Sequence, residues 1–178
     1  MKAIKTNIEG CYVIEAFKAM DERGVFVKNY NSNDFERMGI SVEWKETYYS
    51  KSKKNVIRGM HFQLPPHDHD KLVCCIDGKA LDVVVDVRKN SKTFGKYFSI
   101  ELDSEEGVCI FISRGMAHGF MSLKDNTIME YKVTSGYAAE SDSGIKWDSF
   151  GFDWKCDKPI ISARDNLHPK LSEIKSIF

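Results

Sequence analysis

The sequence lacks several features that mark common functional classes. No apolar run reaches the roughly 18 residues that a membrane-spanning helix needs, and residues 1–5 have neither the apolar stretch nor the cleavage site of a signal peptide. Neither sign of charge is in excess, because 26 Lys and Arg residues balance 26 Asp and Glu residues. Nucleic-acid-binding domains are usually basic, so we expect neither a nucleic-acid nor a membrane partner.

Cysteine is scarce, and its arrangement does not suggest a disulfide framework. The five residues are odd in number and form no C-x-x-C pair; they are Cys11, Cys74, Cys75, Cys109 and Cys156. Disulfides are rare in the cytoplasm. We therefore interpret all five as reduced thiols of a cytoplasmic protein.

Helical patterns are also scarce, whereas short strands recur along the whole chain. Residues 81–88 alternate with period two, so that Leu81, Val83, Val85 and Val87 point one way while Asp82 and its alternates point the other. Further strands are predicted over residues 24–30, 41–49, 56–63, 71–76, 97–102, 108–112, 117–123 and 127–134. Many short strands separated by turn signals indicate an all-β sandwich, jelly roll or barrel, here as one domain over residues 1–178.

Two short helices are predicted at the periphery of the strands. Residues 33–38 read as one, with Ser32 as the N-cap and Gly39 as the stop signal. Residues 171–178 read as the other. The irregular stretch 137–164 is expected to fold over the strands.

Residues 56–63 carry the most informative motif, because an arginine, a histidine and a glutamine stand on one short apolar strand. Histidine is the side chain best suited to move a proton near neutral pH. By itself, a histidine on an apolar strand is more often a core residue. Two further polar signals in apolar surroundings, Ala117-His118-Gly119-Phe120 and Glu130-Tyr131-Lys132, indicate proton-transfer chemistry.

Several motifs, in this order and spacing, resemble the dTDP-4-dehydrorhamnose 3,5-epimerase family nearly from end to end. They are Asp21-Glu22-Arg23-Gly24-x-Phe26, Ser50-Lys51-Ser52-Lys53-Lys54-Asn55-Val56, Arg58-Gly59-Met60-His61-Phe62-Gln63, Lys71-Leu72-Val73, Asp82-Val83-Val84-Val85-Asp86-Val87-Arg88, Thr93-Phe94-Gly95, Ala117-His118-Gly119-Phe120, Tyr131-Lys132-x-Thr134, Gly144-Ile145-x-Trp147 and Ser162-Ala163-Arg164-Asp165. The resemblance implies a cupin-like homodimer that exchanges an N-terminal strand and needs no metal or organic cofactor. It also implies epimerisation next to the ketone of a nucleotide-linked 4-keto-6-deoxy sugar.

The resemblance assigns the parts of this reaction to four catalytic residues. Removal of a proton beside a carbonyl requires a positioned base, a stabilised enolate and a donor on the opposite face. His61 matches the base and Asp165 its carboxylate partner, while Tyr131 matches the acid and Lys71 the group beside the enolate. The implied substrate-binding residues are Arg23, Phe26, Glu46, Tyr48, Arg58, Gln63, Asp82, His118 and Tyr137.

Strand geometry conflicts with a shared pocket for Arg58 and His61. These residues are an odd number of positions apart and would point to opposite faces of an ideal strand. A β-bulge at Gly59 would remove the conflict, and we predict one there.

The chain departs from the family pattern where the nucleotide base should bind. Lys28 stands where family members commonly carry a glutamate, and Glu46-Thr47-Tyr48 replaces a Gln-x-Asn segment. A CDP- or GDP-linked sugar, another 4-keto sugar, or inversion at one carbon therefore remains open beside the dTDP-linked substrate.

Three other functions also remain open at this point. A metal-dependent cupin oxygenase would need His61, His67, His69 and His118 to converge, although Pro65 and Pro66 make residues 64–70 read as a solvated loop. A non-catalytic cupin would bind a sugar nucleotide without exchanging protons. A ketoisomerase of related fold would move the carbonyl instead of inverting a centre.

Overall fold

The structure is a computed structural model that describes residues 1–174 and residue 178. The described residues form thirteen strands: β1 (Lys2–Lys5), β2 (Cys11–Glu15), β3 (Phe17–Asp21), β4 (Gly24–Lys28), β5 (Glu46–Ser52), β6 (Ile57–Gln63), β7 (Lys71–Asp77), β8 (Lys79–Asp86), β9 (Tyr97–Asp103), β10 (Val108–Ile112), β11 (Met116–Ser122), β12 (Thr127–Val133) and β13 (Asp142–Gly144). The helices among them are α1 (Ser32–Arg37), α2 (Ala163–Asn166) and a 3-10 turn at Leu171–Glu173. None of these helices has the length and apolarity needed to cross a membrane.

The strands pair into two large antiparallel sheets and one separate hairpin. The first sheet has the order β1-β2-β10-β7-β12-β5, and the second has the order β13-β6-β11-β8-β9. Strands β3 and β4 pair only with each other among the described strands. Most neighbours in both large sheets come from distant parts of the sequence; only the pairs β1–β2 and β8–β9 are consecutive among them. Residues far apart in the chain therefore meet at the sheet centres.

The main core lies between the two large sheets. Val73 and Ile110 from the first sheet pack in one buried cluster with Val84, Leu102 and Phe120 from the second. Apolar side chains on alternate strand positions thus close a sandwich. The all-β prediction is confirmed.

The alternation predicted for residues 81–88 is also confirmed. Val83 and Val85 join a cluster on the outer face of the second sheet, whereas Val84 belongs to the core between the sheets. Asp82 has the same parity as Val84 and is completely buried. The inner face of β8 therefore brings a carboxylate into the molecule.

The outer faces of both sheets are covered by other parts of the chain. Phe150, Trp154 and Ile174 pack on the second sheet, which places much of the irregular stretch against the strands as expected. Phe35 of α1 packs on the first sheet against Leu72 and Phe111.

The predicted helices are only partly correct. Helix α1 is present, but Asn31 is its N-cap, not Ser32, because the Asn31 side chain accepts a hydrogen bond from the Asp34 backbone N–H. Gly39 follows the end of α1 with a φ of 79°. The predicted C-terminal helix is wrong over its first residues, where a 3-10 turn gives way to extended backbone at Ile174, and residues 175–177 lie outside the described residues.

Strand prediction is most accurate where a strand has a buried face. The predicted strand 108–112 agrees at both ends with β10, whereas the predicted strand 41–49 begins five residues before β5. The sequence did not reveal β1, β2, β3 or β13. All five residues of β3 are exposed, so no apolar alternation marks it.

The cysteine prediction is wrong for two of the five residues. Cys74 on β7 and Cys109 on β10 form a disulfide, because they lie opposite each other on neighbouring strands with their Cα atoms 4.5 Å apart. Cys11, Cys75 and Cys156 are free. The two cysteines are 35 residues apart in the sequence, so no local pattern indicated that they would pair.

Candidate active site

A histidine–carboxylate pair lies where β6 meets helix α2. His61 Nε2 is 2.8 Å from Asp165 Oδ1, and the side chain of Asp165 is almost completely buried. Ser162 caps α2 by accepting a hydrogen bond from the Asp165 backbone N–H. A carboxylate that accepts the Nε2 proton leaves the lone pair of the imidazole on Nδ1.

The bulge predicted at Gly59 is present and supports this pair. His118 of β11 lies opposite His61, but Phe120 lies opposite Arg58, so β6 has one extra residue between these two points. The Gly59 N–H donates to Asp165 Oδ2 at 3.1 Å. The bulge therefore gives Asp165 a second donor and turns Arg58 toward the same cleft as His61.

Burial and hydrogen bonding set the charge states of the pair. Burial lowers the pKa of His61, and this effect exceeds the opposing influence of Asp165. Burial raises the pKa of Asp165, but hydrogen bonds from His61, Gly59 and Ser162 outweigh it and hold this pKa well below its usual range. The result is a neutral imidazole beside an ionised carboxylate, which is the arrangement of a general base.

Tyr131 lies on the facing sheet and borders the same cleft. It is buried on β12, stacks on Tyr48 with ring centroids 4.9 Å apart, and its hydroxyl is 3.4 Å from Ser50 Oγ. Burial raises the pKa of Tyr131, so its hydroxyl keeps its proton near neutral pH. The cleft, about 720 Å³ in volume, has His61 and Asp165 on one wall and Tyr131 on the other.

Lys71 contributes a buried positive charge between these walls. Its Nζ donates to the His61 carbonyl oxygen at 3.2 Å, and its side chain borders the cleft. Burial lowers the pKa of Lys71 to about 8, although Asp142 and Asp82 act in the opposite direction. A poorly solvated ammonium is well suited to interact with a developing oxyanion.

Asp82 and His118 form a second buried pair, with His118 Nε2 2.8 Å from Asp82 Oδ2. His118 borders the cleft, whereas Asp82 lies behind it. The prediction that both residues line the cavity is therefore correct for His118 only. Asp82 instead positions the imidazole ring.

A smaller hollow of about 330 Å³ adjoins the cleft and shares Tyr48, His61 and Lys71 with it. Three more residues with a predicted binding role, Glu46, Gln63 and Tyr137, line it. Glu46 Oε2 accepts a hydrogen bond from the Tyr137 backbone N–H, and Gln63 Oε1 accepts one from Ala138. Both volumes fall in the range of small-molecule sites.

Besides Asp82, two of the predicted residues lie outside both hollows. Arg23 and Phe26 stand on the β3–β4 hairpin, where Arg23 is 86% exposed and paired with Asp21. Phe26 is 58% exposed. Within one copy of the chain they do not join the other predicted site residues, which the sheets and α2 bring together.

Sequence reasoning missed several residues of the site. Ser50 and Arg164 border the cleft, and Asp142 and His69 line the smaller hollow. Ser50, Ser162 and Arg164 belong to the motifs that match the family. The motifs therefore marked their positions, but nothing in the sequence indicated what these side chains contact. His168 lies outside these motifs, and nothing around it in the sequence marked it as a site residue.

The histidines do not gather as a cupin oxygenase would require. Within the described part of the chain, one group of side chains could hold a metal ion, and it consists of His61, Asp165 and His168. His67, His69 and His118, which the oxygenase would also need, are not part of it. His118 is bonded to Asp82, and His69 lies near Gln63. This geometry disfavours the oxygenase.

Comparisons with known proteins agree with these observations. A family model described as dTDP-4-dehydrorhamnose 3,5-epimerase matches residues 5–173. A protein of that description from Methanothermobacter thermautotrophicus is 41% identical over 96% of this chain and 94% of its own. The crystal structure of the enzyme from Legionella pneumophila, in complex with dTDP-4-keto-L-rhamnose, has a TM-score of 0.93 and is 31% identical, covering 98% of this chain and 95% of the other. The 3'-monoepimerase ChmJ from Streptomyces bikiniensis, in complex with dTDP-quinovose, has a TM-score of 0.89 and 29% identity, covering 94% and 86%.

Proposed function

Since the chain belongs to the dTDP-4-dehydrorhamnose 3,5-epimerase family, we propose that its site inverts C3, C5 or both in a nucleotide-linked 4-keto-6-deoxy sugar. The reaction needs no cofactor and is carried out by one domain over residues 1–178. The observation that carries the proposal is the placement of His61, Asp165 and Tyr131 around one cleft.

The proposed reaction moves one proton off the sugar and another onto it at each inverted carbon. Neutral His61 removes the proton beside the C4 carbonyl through Nδ1, and the electron pair of the broken C–H bond passes to the ketone oxygen as an enolate. Ionised Asp165 stabilises the resulting imidazolium. The ammonium of Lys71 stabilises the enolate oxygen.

Tyr131 completes each inversion from the opposite wall. Its hydroxyl donates a proton to the carbon as the enolate collapses to the ketone. The tyrosinate then recovers a proton from solvent, and His61 releases its own. The C=O and C–C bonds change order only transiently, in the enolate, and are restored in the product. The net change is the exchange of one proton at each inverted carbon, so the reaction balances without an oxidant.

The diphosphate and sugar of the substrate have separate predicted contacts. Arg58 borders the cleft, and its guanidinium is fixed by hydrogen bonds to Ser52 Oγ and the Lys51 carbonyl. Guanidinium groups suit phosphate oxygens. We propose dTDP-4-dehydro-6-deoxyglucose as the first substrate to examine, because both ligand-bound relatives described above hold dTDP sugars.

The nucleotide is the part of this proposal with least support from the residues. Glu46 and Tyr48 line the smaller hollow, and both depart from the family pattern, as does Lys28. A different base would meet a carboxylate and a phenol in place of amide side chains.

Solvent exchange tests substrate and reaction together. The protein is incubated in heavy water with dTDP-, CDP- and GDP-linked 4-keto-6-deoxy sugars, and deuterium is located by NMR. Label at C3 or C5 of at least one sugar, with inversion, is expected. A pure binding protein gives no label, and a ketoisomerase gives a product with a displaced carbonyl, so either result rejects the proposal.

A homodimer is the second part of the proposal. The β3–β4 hairpin is unpaired among the described strands and exposes Phe17, Met20, Val25 and Phe26. An isolated hairpin is marginally stable in water, so an apolar one favours a partner surface. Exchange of this hairpin would bring Arg23 and Phe26 to the site of a second copy.

We also propose that the protein is cytoplasmic. Cys11 and Cys75 are buried free thiols, as expected for a reducing compartment. The Cys74–Cys109 disulfide is the opposing observation. Cell fractionation would decide between them, with enrichment in the soluble cytoplasmic fraction expected.

A further inference from the structure

His168 occupies a fixed position beside the proposed base. It follows helix α2, and the segment that carries it is tied down at both ends. The Pro169 carbonyl accepts a hydrogen bond from the Lys146 N–H at 2.7 Å, and Asn166 Oδ1 accepts one from Trp147 Nε1. The His168 and His61 rings meet edge to face, with centroids 5.7 Å apart.

Gly144 makes room for this ring. The residue pairs with His61 across β13 and β6. A Cβ atom at position 144 would clash with the Met60 carbonyl oxygen and would also lie 2.8 Å from His168 Nε2. The absence of a side chain at this point lets the imidazole approach β6.

The nitrogen at this approach has no hydrogen-bond partner. His168 Nε2 is buried, and no protein atom of the described residues bonds to it. Buried polar atoms nearly always have a partner, so this nitrogen is free to bond a water molecule, an ion or another ligand. Nothing in the proposed epimerase reaction uses this nitrogen.

His61, Asp165 and His168 each offer one ligand atom, and the three atoms all lie within 4.8 Å of one another. Two imidazoles and a carboxylate are a donor set that zinc and similar ions accept. Ligand atoms around tetrahedral zinc are about 3.3 Å apart. To reach that geometry, the 2.8 Å between His61 and Asp165 has to open by about 0.5 Å, and a separation of up to 4.8 Å has to close by about 1.5 Å.

Nearby charges set a limit on affinity. Arg164 Nε lies 3.5 Å from Asp165 Oδ1 and opposes a cation, but the same guanidinium is bonded to Asp142. Lys71 adds a second positive charge close to His61. The site is therefore suited to reversible binding, not to a permanently held ion.

We propose that His61, Asp165 and His168 form a binding site for one divalent transition-metal ion, and that the bound ion reversibly inhibits the enzyme. The ion takes the place of the proton shared by His61 Nε2 and Asp165. An imidazole with a metal on Nε2 carries its remaining proton on Nδ1 and cannot accept another. The inhibition rests on the proposed role of His61 as the base, whereas the binding does not.

The first experiment measures zinc binding without any turnover. Protein freed of metal by a chelator is titrated with zinc in a calorimeter, and cobalt is used as a spectroscopic probe of the ligand set. We expect one zinc per chain with a micromolar dissociation constant. His168→Leu and His168→Gln should each weaken binding by at least about tenfold, since even loss of a residue that only supports a ligand costs that much.

His67→Leu is the matched control, because His67 is a half-exposed histidine that lies outside the cluster. This variant should bind zinc as the parent protein does. Equal affinity of the parent and both His168 variants would overturn the site, as would a dissociation constant in the millimolar range.

The second experiment measures epimerisation at increasing free zinc, with each variant compared with its own rate in chelator. The parent and His67→Leu should lose activity at the zinc concentration that fills the site, and the His168 variants should need at least tenfold more. Inhibition that does not shift in the His168 variants would reject this site as its cause. If the protein shows no epimerase activity at all, the binding titration still decides the metal site separately.

Discussion

Asp165 is the residue on which the charge state of the site depends. Its carboxylate accepts from His61 Nε2 and from the Gly59 N–H, so one side chain orients the imidazole and holds the bulge. The motif Ser162-Ala163-Arg164-Asp165 marked the position of Asp165. Its neighbours in the sequence alone would equally suit an aspartate in a turn or a helix cap. Its contact with His61 joins residues 104 positions apart, which no local pattern can reveal.

Asp165→Asn should separate the electrostatic role of this residue from its structural one. The amide can still accept from Gly59 but cannot stabilise an imidazolium, and it can hold His61 in the wrong tautomer. We expect solvent exchange to slow by about 10²- to 10⁴-fold. The unfolding midpoint should also fall, because the lowered pKa of Asp165 means that its ionised form stabilises the fold. A rate within twofold of the parent would remove Asp165 from the reaction.

Tyr131→Phe tests the proton donor. The ring can still stack on Tyr48 while the hydroxyl is lost, so the fold should persist. Inversion at one centre at least should fall by about 10²- to 10⁴-fold. Tyr49→Phe, which alters a 70%-exposed tyrosine on β5, is the matched control and should retain full activity. Unchanged turnover at both carbons in Tyr131→Phe would contradict the assignment.

The lowered pKa of Lys71 should make the free energy of unfolding depend on pH. Its pKa in the folded protein is lowered to about 8 from an ordinary value of 10.5. Between these two values the unfolded chain binds a proton that the native protein has released. The free energy of unfolding therefore rises with pH across this interval as far as Lys71 contributes.

Urea unfolding at pH 7 and pH 10 measures this contribution in the parent and in Lys71→Met. The parent should gain more stability, or lose less, than the variant between these two values. Epimerase activity of the parent should fall above pH about 8, as the ammonium beside the enolate is lost. The same change in stability for both proteins would show that the pKa of Lys71 is not lowered in the folded protein.

At the scale of elements, the bulge in β6 converts a regular strand into part of a site. Gly59 adopts a φ of +134°, a conformation that side chains rarely adopt. A Cβ atom there would also lie 2.9 Å from the His118 carbonyl oxygen. The odd spacing of Arg58 and His61 made the bulge predictable, because both residues could not otherwise serve one cleft.

Gly59→Ala should damage both stability and activity. Gly151→Ala is its matched control, because Gly151 also has a positive φ but open space around it. We expect the control to lose about 1 kcal/mol from backbone strain alone and to keep its activity. Gly59→Ala should lose more stability, as measured by urea unfolding, and most of its exchange activity. Equal losses in the two variants would argue against tight packing at the bulge.

Strands with a strong apolar alternation were predictable, whereas several very short or weakly patterned strands were not. Strand β8 was evident from its alternating valines and aspartates. Strand β3 is fully exposed and β13 has three residues, so neither shows a pattern that periodicity can detect. His168 reaches the site only because residues 145–170 fold back over the second sheet.

At the scale of the whole molecule, the exposed hairpin is the feature that a single chain leaves unexplained. Met20 is 70% exposed and Phe26 is 58% exposed. A second copy that covers them would remove apolar surface from water. We expect the parent to sediment as a dimer and Met20→Asp/Phe26→Asp to shift toward a monomer with reduced activity. A monomeric parent with full activity would reject the exchange of the hairpin.

The central claim is that His61 is the base of a cleft whose opposite wall is Tyr131. The most direct test compares the rate of deuterium exchange at C3 and C5 in the parent, in His61→Asn, and in His67→Asn as the control. The account predicts exchange in the parent and the control, and a loss of about 10²-fold or more in His61→Asn with the fold intact. Exchange at parental rate in His61→Asn would contradict it.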